Sequence, residues 1–386
     1  MNNKKNVLNF FAITAFVIPG IFASNAVAAD TPSATCANDL EDMAAFLPIN
    51  DSGAAAARQH HGAAINAALK LARKDAAAVT DRASCDATLS TYLRAWRPGH
   101  LSLGPWPRNM AAPAASSSPE KTEAGQEATQ AAADPFLSTM KVLSKTTLLL
   151  TLPTFRDSYR ADIESLLKKN RSALEEHPNW IVDVRSNNGG SDSSYSPLLP
   201  WLTSGGFAVQ NAEWLSTPEN LHAQETICSV TGDKASCDEF LAPVIDALRD
   251  TPAGHYTLAK GATAISYGVA VNLEKHRPKH IAVLIDRACG SSCEQFLLTV
   301  RQSQSVKLLG RPSSGQLDVS NLRPHLLPSG NRALLYATSR SSRLPDMPID
   351  QIGVQPDILL PRTADAAATD NEVRRVQRWL EGGSLE

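Results

Sequence analysis

Between Thr146 and Ala337 the sequence alternates short apolar runs with amphipathic stretches, and this alternation leaves few architectures open to the chain. Thr146 to Leu152, Trp180 to Val184, Lys279 to Ile285, Val306 to Leu309 and Ala333 to Ala337 read as strands. From Arg156 to His177, Tyr159, Ile163, Leu166, Leu167 and Leu174 fall at helical spacing, with Pro178 just beyond. Cys293 to Val300 is a further helical run, entered through Gly290-Ser291-Ser292. A last helix, with Thr369 as cap and Glu372 as its capping-box partner, shows Val373, Val376 and Leu380 on one face and stops at Gly382-Gly383. Strand alternating with helix means an α/β fold.

Ahead of this region the pattern differs. From 36 to 97 the chain is Ala-rich with helical periodicity and no β-branched runs, which predicts a small helical N-terminal domain over 29–110, its helices ending at Pro98-Gly99. Residues 111–135 are low in complexity and nearly free of large apolar side chains, so nothing offsets the entropy of ordering them, and they read as a linker. The α/β core then occupies 136–386. With 43% hydrophobic and 20% charged residues in 386, disorder over most of the length is excluded, as is a collagen-like or coiled-coil rod.

Residues 1–28 carry Lys4 and Lys5, an apolar run from Val7 to Ala23 broken by Pro19-Gly20, and a small-residue exit at Ala26-Val27-Ala28. That is the pattern of a signal peptide cleaved after Ala28. No other stretch approaches the roughly 18 apolar residues of a membrane span, so the expected product is secreted, with a periplasm as the first choice. Losing Lys4 and Lys5 with the leader takes the formal net charge from −2 to about −4. Neither a basic stripe for nucleic acid nor a Lys/Arg cluster for an anionic membrane is present.

Six cysteines, all beyond the leader, agree with an oxidising compartment. Neighbourhood in sequence pairs Cys36 with Cys85, Cys228 with Cys237 and Cys289 with Cys293, although six cysteines allow 15 connectivities. No second Cys or His pair stands at metal-ligand spacing, and His60-His61 has no acidic or sulfur partner nearby.

Two loops could carry chemistry. Ser291 sits where a strand gives way to a helix, so free backbone N–H groups and a positive dipole end lie directly behind it. A nucleophile with donors for an oxyanion is what acyl transfer needs. Alone, Gly-Ser-Ser is equally a helix-capping turn. The second loop, Arg185-Ser186-Asn187-Asn188-Gly189-Gly190-Ser191, leaves a buried strand with two glycines, where backbone N–H groups can approach a ligand.

Taken in order, four segments resemble the S41 peptidases, the family of C-terminal processing (tail-specific) proteases. They are Ile181 to Gly190, Val283 to Glu294 through Ser291-Ser292-Cys293, Gly310-Arg311-Pro312-Ser313-Ser314-Gly315, and Gly353-Val354-Gln355-Pro356-Asp357. The resemblance spans roughly 140 to 362. It implies a crotonase-like (ClpP-like) core of ββα units and serine peptidase activity. Ser291 matches the family's nucleophile, and Ser292 N–H with Gly189 or Gly190 N–H matches its oxyanion hole. The Ser-Lys branch places Lys just after the glycine that Gly315 matches; this chain has Gln316, which cannot act as a general base.

The tricorn-like branch pairs Ser with His and an acid, and Arg97-Pro98-Gly99-His100-Leu101 is similar to its histidine segment. Imidazole titrates near neutrality and can relay the serine proton to the leaving amine. The branch's acid falls at Asp350, an Asp in place of Glu, with Asp346 as the fallback. Glu294 and Asp357 match family positions but are expected to hold caps and loops, and Asp183 and Arg185 to belong to the scaffold. Only about 40 residues separate Pro105 from Thr146, too few for the PDZ domain that many processing proteases insert, below the usual lower bound of about 50.

These readings predict an exported serine-type peptidase with Ser291 as nucleophile, His100 as base and Asp350 as orienter, acting on a peptide or protein and needing no cofactor or metal. The alternative is a catalytically inactive binding protein of the same fold, for a peptide or a hydrophobic small molecule, since fold does not fix function. Gln316 and the Asp at 350 favour that alternative.

Overall fold

A computed structural model describes residues 31–105, 134–230, 234–269, 271–361 and 368–385. The expected signal peptide and nearly all of the expected linker lie outside the described residues. Pro32–Glu386 form one compact unit.

Three helices open it: α1 (Pro32–Asn50), α2 (Ala54–Ala76) and α3 (Arg82–Trp96). The chain continues through β1 (Ser102–Pro105), β2 (Thr139–Val142), β3 (Thr147–Thr151), α4 (Arg160–Lys169), α5 (Arg171–Glu176) and β4 (Asn179–Asp183). Then come α6 (Asp192–Tyr195), α7 (Leu199–Leu202), β5 (Phe207–Gln210), β6 (Ala212–Leu215), α8 (Pro218–Ile227), α9 (Lys234–Asp250), β7 (Tyr256–Leu258) and β8 (Ile265–Val269). The last part holds β9 (His280–Ile285), α10 (Ser292–Val300), β10 (Val306–Gly310), β11 (Val319–Leu326), β12 (Arg332–Ser341), β13 (Ile358–Leu359) and α11 (Ala368–Leu380).

The core is a six-stranded sheet in the order β13-β10-β9-β4-β3-β2, parallel except for β2. Register aligns Leu150, Val182, Val283 and Leu308 across four strands. Successive side chains of a strand point to opposite faces, so the sheet serves two cores. Leu150, Trp180, Val182 and Val283 meet Ile163, Leu167, Leu174, Phe296 and Val300 of the helices on one face. Ile181, Ala282 and Leu284 meet Val373 and Val376 of α11 on the other. Each such side chain taken fully out of water contributes about 1.5–3 kcal/mol.

One expected element differs in detail. The helix read over Arg156 to His177 is interrupted at Asn170, whose side-chain amide donates to the Leu166 carbonyl at 2.7 Å. That is the local side-chain competition by which Asn ends helices. The last helix spans Ala368–Leu380; the expected cap, the Thr369 side chain, lies outside the described residues, and Glu372 accepts from Arg185 at 2.6 Å and pairs with Arg311. Arg185 also grips Asp183 at 2.5 Å, so this pair is part of the scaffold that ties β4 to α11.

A second, antiparallel sheet is built around β12, which pairs with β11 along one side and with β1 and β6 along the other. The three N-terminal helices pack their core on this strand. Leu40, Met43, Leu89, Tyr92 and Trp96 share a cluster with Leu334 and Tyr336. The disulfides are Cys36–Cys85, Cys228–Cys237 and Cys289–Cys293, the pairing expected from sequence.

Cys36–Cys85 staples α1 to α3 across a separation of 49 residues. Replacing both with Ser is expected to lower the unfolding free energy by about 2–4 kcal/mol, read from a lower urea midpoint with a slope that rises as the unbridged unfolded chain exposes more surface.

Candidate functional site

Loops leaving the carboxyl ends of β3, β4, β9 and β10 meet at one edge of the parallel sheet, where ligands bind in open α/β folds. Ser291 stands there between β9 and α10 with φ 58° and ψ −124°, a conformation that costs a non-glycine residue roughly 1–3 kcal/mol. The surrounding contacts over-determine it. Cys289 and Cys293 are bridged across it, Gly290 N–H donates to Asn187 O at 3.2 Å, and Ser314 N–H donates to Cys289 O at 2.8 Å.

The strongest restraint is Glu294, a fully buried carboxylate. It accepts from Ser291 N–H (3.1 Å), Ser313 Oγ–H (2.5 Å), Gly315 N–H (2.6 Å) and Gln316 N–H (3.0 Å). Four donors satisfy a charge that burial would otherwise penalise. Glu294 thus holds the Ser291 turn to the loop after β10. Asp357 likewise accepts from Leu308 N–H at 2.8 Å and anchors the end of the sheet.

The Gly189-Gly190 loop closes over this turn. A Cβ on Gly189 would come within 2.5 Å of the Gly290 carbonyl and 2.9 Å of Ser292 N, so only glycine fits. The N–H of Gly189 is taken by Asn187 Oδ1 at 2.9 Å. Gly190 is exposed, and among the described residues its N–H has no acceptor. Ser292 is the first residue of α10, where N–H groups have no partner within the helix. Of the two glycines named from sequence, Gly190 keeps an open N–H, and Gly189 supplies the close approach to Ser292.

His100 precedes β1 with φ 51°. Arg97 fixes its loop by donating to Gly99 O at 2.9 Å and to His100 O at 2.8 Å. Arg97 is itself held by Asp51 in a buried ion pair (Nη2 to Oδ2, 2.6 Å), and Asp51 accepts from Ala337 N–H of β12 at 3.1 Å. The half-buried ring bonds the Val319 carbonyl through Nδ1. A carbonyl only accepts, so Nδ1 carries the proton and Nε2 is left as the basic nitrogen. Burial holds the imidazole pKa below its ordinary value, which favours the neutral form.

Asp350 is close by but engaged elsewhere. Its Oδ1 accepts from Leu317 N–H (2.7 Å) and Asp318 N–H (2.8 Å). Asp318 returns the contact by accepting from Asp350 N–H at 2.8 Å and pairs with Arg343 at 2.9 Å. Among the described residues no hydrogen bond joins His100 to Asp350 or to Ser291. Asp350 instead secures the segment that delivers the Val319 carbonyl to His100. Asp346 is exposed.

Gln316 fills the space between the two loops. Its side chain lies against Gly99 and Gly290, where an added Cβ would meet it at 2.6 Å in either case, and its Nε2 donates to Ser314 Oγ at 2.5 Å. It thus separates the residue before His100 from the residue before Ser291. Asp192, which sequence reasoning did not single out, opens α6 two residues beyond Gly190 and is exposed. In sequence it looks like any acid at a helix start. The Asp51–Arg97 pair was also invisible, since its members stand 46 residues apart. Among the described residues no group of three or more His, Cys, Asp or Glu is placed to hold a metal ion, and no helix is long and apolar enough to cross a membrane.

The profile of Peptidase family S41 matches residues 146–360, which is more than half of the chain. The chain belongs to that family. Among solved structures it is similar to mature CPAF, at 13% identity and a TM-score of 0.57, covering 91% of this chain and 99% of that one. A protein of Parabacteroides merdae ATCC 43184 is similar at 12% identity and a TM-score of 0.51, covering 90% and 96%. At these identities the likeness establishes a shared mixed α/β fold. No curated protein matches the chain.

Burial, then the neighbouring Asp318 and Glu294 charges, push the Asp350 carboxyl up to about 6 against two backbone donors that favour its ionised form. The folded state therefore binds the proton more tightly than the unfolded chain, and this group's contribution to stability falls as pH rises from about 4 to about 6. Asp350→Asn keeps an Oδ1 acceptor for both N–H groups. Its urea midpoint, measured from pH 4 to 7, is expected to fall less with rising pH than that of the wild type, and to match or exceed it at pH 7.

Proposed function

We propose that this chain is an exported serine-type peptidase that cleaves peptide bonds through an acyl-enzyme. Ser291 Oγ attacks the scissile carbonyl while His100 Nε2 takes its proton. The carbonyl oxygen becomes an oxyanion facing the Ser292 and Gly190 N–H groups. His100 then returns the proton to the leaving amine, and water, activated by the same nitrogen, hydrolyses the ester. The observation that carries this reading is the strained Ser291 turn at the head of α10, flanked by two unclaimed backbone donors. Membership of the family supports a protein or peptide substrate. Three disulfides and the leader-like N-terminus support export.

His100 supplies the base from outside the parallel sheet, and Gln316 offers none. Asp350 is the orienting acid in this scheme, acting through the backbone it holds: Leu317 and Asp318 place the Val319 carbonyl, and that carbonyl fixes the tautomer of His100. Productive catalysis then requires His100 Nε2 to come within hydrogen-bond range of Ser291 Oγ when substrate is bound. Besides Gln316 and the Asp at 350, the absence of that bond among the described residues favours a non-catalytic binding protein.

Labelling with a fluorophosphonate probe separates the two readings. The peptidase predicts labelling that is lost in Ser291→Ala and falls at least about 10³-fold in rate in His100→Ala. A folded wild type that does not label supports the binding protein. If Asp350 acts through the backbone, Asp350→Asn should label within about tenfold of the wild type. Asp350→Ala should be slower, because it strands two buried N–H groups. A loss near 10⁴-fold in Asp350→Asn would instead assign a direct ionic contact with His100.

A further inference from the structure

The chemistry above makes no use of the Gln316 side chain, yet that side chain stands in the gap the chemistry has to close. A Cβ on Gly99, the residue before His100, would come within 2.6 Å of the Gln316 Cβ, and a Cβ on Gly290, the residue before Ser291, would come within 2.6 Å of its Nε2. The stem of the side chain therefore lies against the His100 loop and its amide against the Ser291 turn. Nε2 donates to Ser314 Oγ at 2.5 Å, which holds the amide there.

The rest of the junction is fixed more firmly. Glu294 accepts from Gln316 N–H at 3.0 Å and Asp350 from Leu317 N–H at 2.7 Å, so carboxylates pin the backbone that carries the side chain. The Ser291 turn is bonded to Glu294 as well and is closed by the Cys289–Cys293 bridge. The His100 loop is tied through Arg97 to Asp51. Beyond its Cβ, Gln316 is held by a single hydrogen bond between neutral groups, a weaker restraint than the bonds to carboxylates around it. The residue is half-buried, so a rotated amide reaches water, which replaces the bond to Ser314.

We propose that Gln316 is a positioning residue that acts as a wedge: in the free protein its side chain keeps the His100 loop off the Ser291 turn, and rotation of that side chain lets base and nucleophile meet. The roles of His100 and Ser291 rest on the peptidase reading; the separation of the two loops does not. The free chain is then held below its full activity by the fraction of time the amide spends on Ser314. A side chain cut back to its Cβ leaves only the open arrangement.

The test compares Gln316→Ala and Gln316→Ser, which keep the contact with Gly99 and remove the amide from Gly290, with Gln316→Met, which keeps the length and bulk and loses only the polar group. Contact between base and nucleophile is read by NMR of the purified protein carrying ¹⁵N-histidine at pH 8, since the signal of an unprotonated ring nitrogen moves upfield when it accepts a hydrogen bond. His100→Ala assigns the signal. In the wild type, Ser291→Ala should leave the His100 Nε2 signal in place. In Gln316→Ala and Gln316→Ser the signal is expected upfield of the wild type, and adding Ser291→Ala should return it, while Gln316→Met stays with the wild type. A signal that does not move in a folded truncated variant, or a shift that survives Ser291→Ala, overturns the wedge.

Fluorophosphonate labelling reports separately on the peptidase reading. The truncated variants should label at least about fivefold faster than the wild type, and Gln316→Met no more than about twofold faster. An upfield shift without labelling of any variant would remove the enzyme and leave the wedge standing. Labelling of the wild type as fast as that of the truncated variants would remove the wedge and leave the enzyme.

Discussion

The buried carboxylate of Glu294 is the interaction on which the rest of the site depends. It lies on the first turn of α10, yet three of its four donors come from the loop after β10. A parallel sheet fixes the spacing of its strands but not the path of the loops beyond them, so two loops leaving β9 and β10 need a shared acceptor to acquire a fixed relation. Glu294 provides it within the core, where loss of any one donor would leave a charge without its full complement. The Cys289–Cys293 bridge closes the same turn from its other side. The positive φ of Ser291 persists because the contacts around it cannot all be kept in any other conformation.

The proposed base is delivered by a different part of the molecule. His100 depends on Arg97, Arg97 on Asp51, and Asp51 on the backbone of β12. The ring's acceptor, Val319, opens β11, which pairs with β12 in turn. The central strand of the antiparallel sheet therefore carries both the loop that holds the imidazole and the carbonyl that sets its tautomer. The N-terminal helices share their core with this strand, which is why they form one compact unit with the sheets.

Much of this was legible in the sequence because it is written in local patterns. Apolar runs marked the strands β3, β4, β9 and β10, helical spacing marked α10 and the buried face of α11, and neighbouring cysteines gave all three bridges. The Gly189-Gly190 and Ser291 loops could be named because glycine and a strand-to-helix turn leave a signature in the chain itself. What escaped has no such signature. The partner of His100 is a backbone carbonyl, which every residue possesses. Asp51 and Arg97 are ordinary residues until the fold brings them together. Glu372 pairs with Arg185 and Arg311, which lie far from it in sequence.

Gln316 stands between the loops of the proposed base and the proposed nucleophile. Its side chain occupies the gap between Gly99 and Gly290, and a Cβ on Gly99 would come within 2.6 Å of its own Cβ. A neutral amide packed there sets a distance between the two loops without contributing a charge. Two carboxylates of these loops are engaged by donors of the fold: Glu294 takes four of them, and Asp350 is tied to the backbone. Burial favours the neutral form of His100 as well. In the proposed scheme the open donors that remain for an anion are therefore backbone N–H groups, those of Gly190 and Ser292, and they are fixed in place by the same contacts that hold the Ser291 turn.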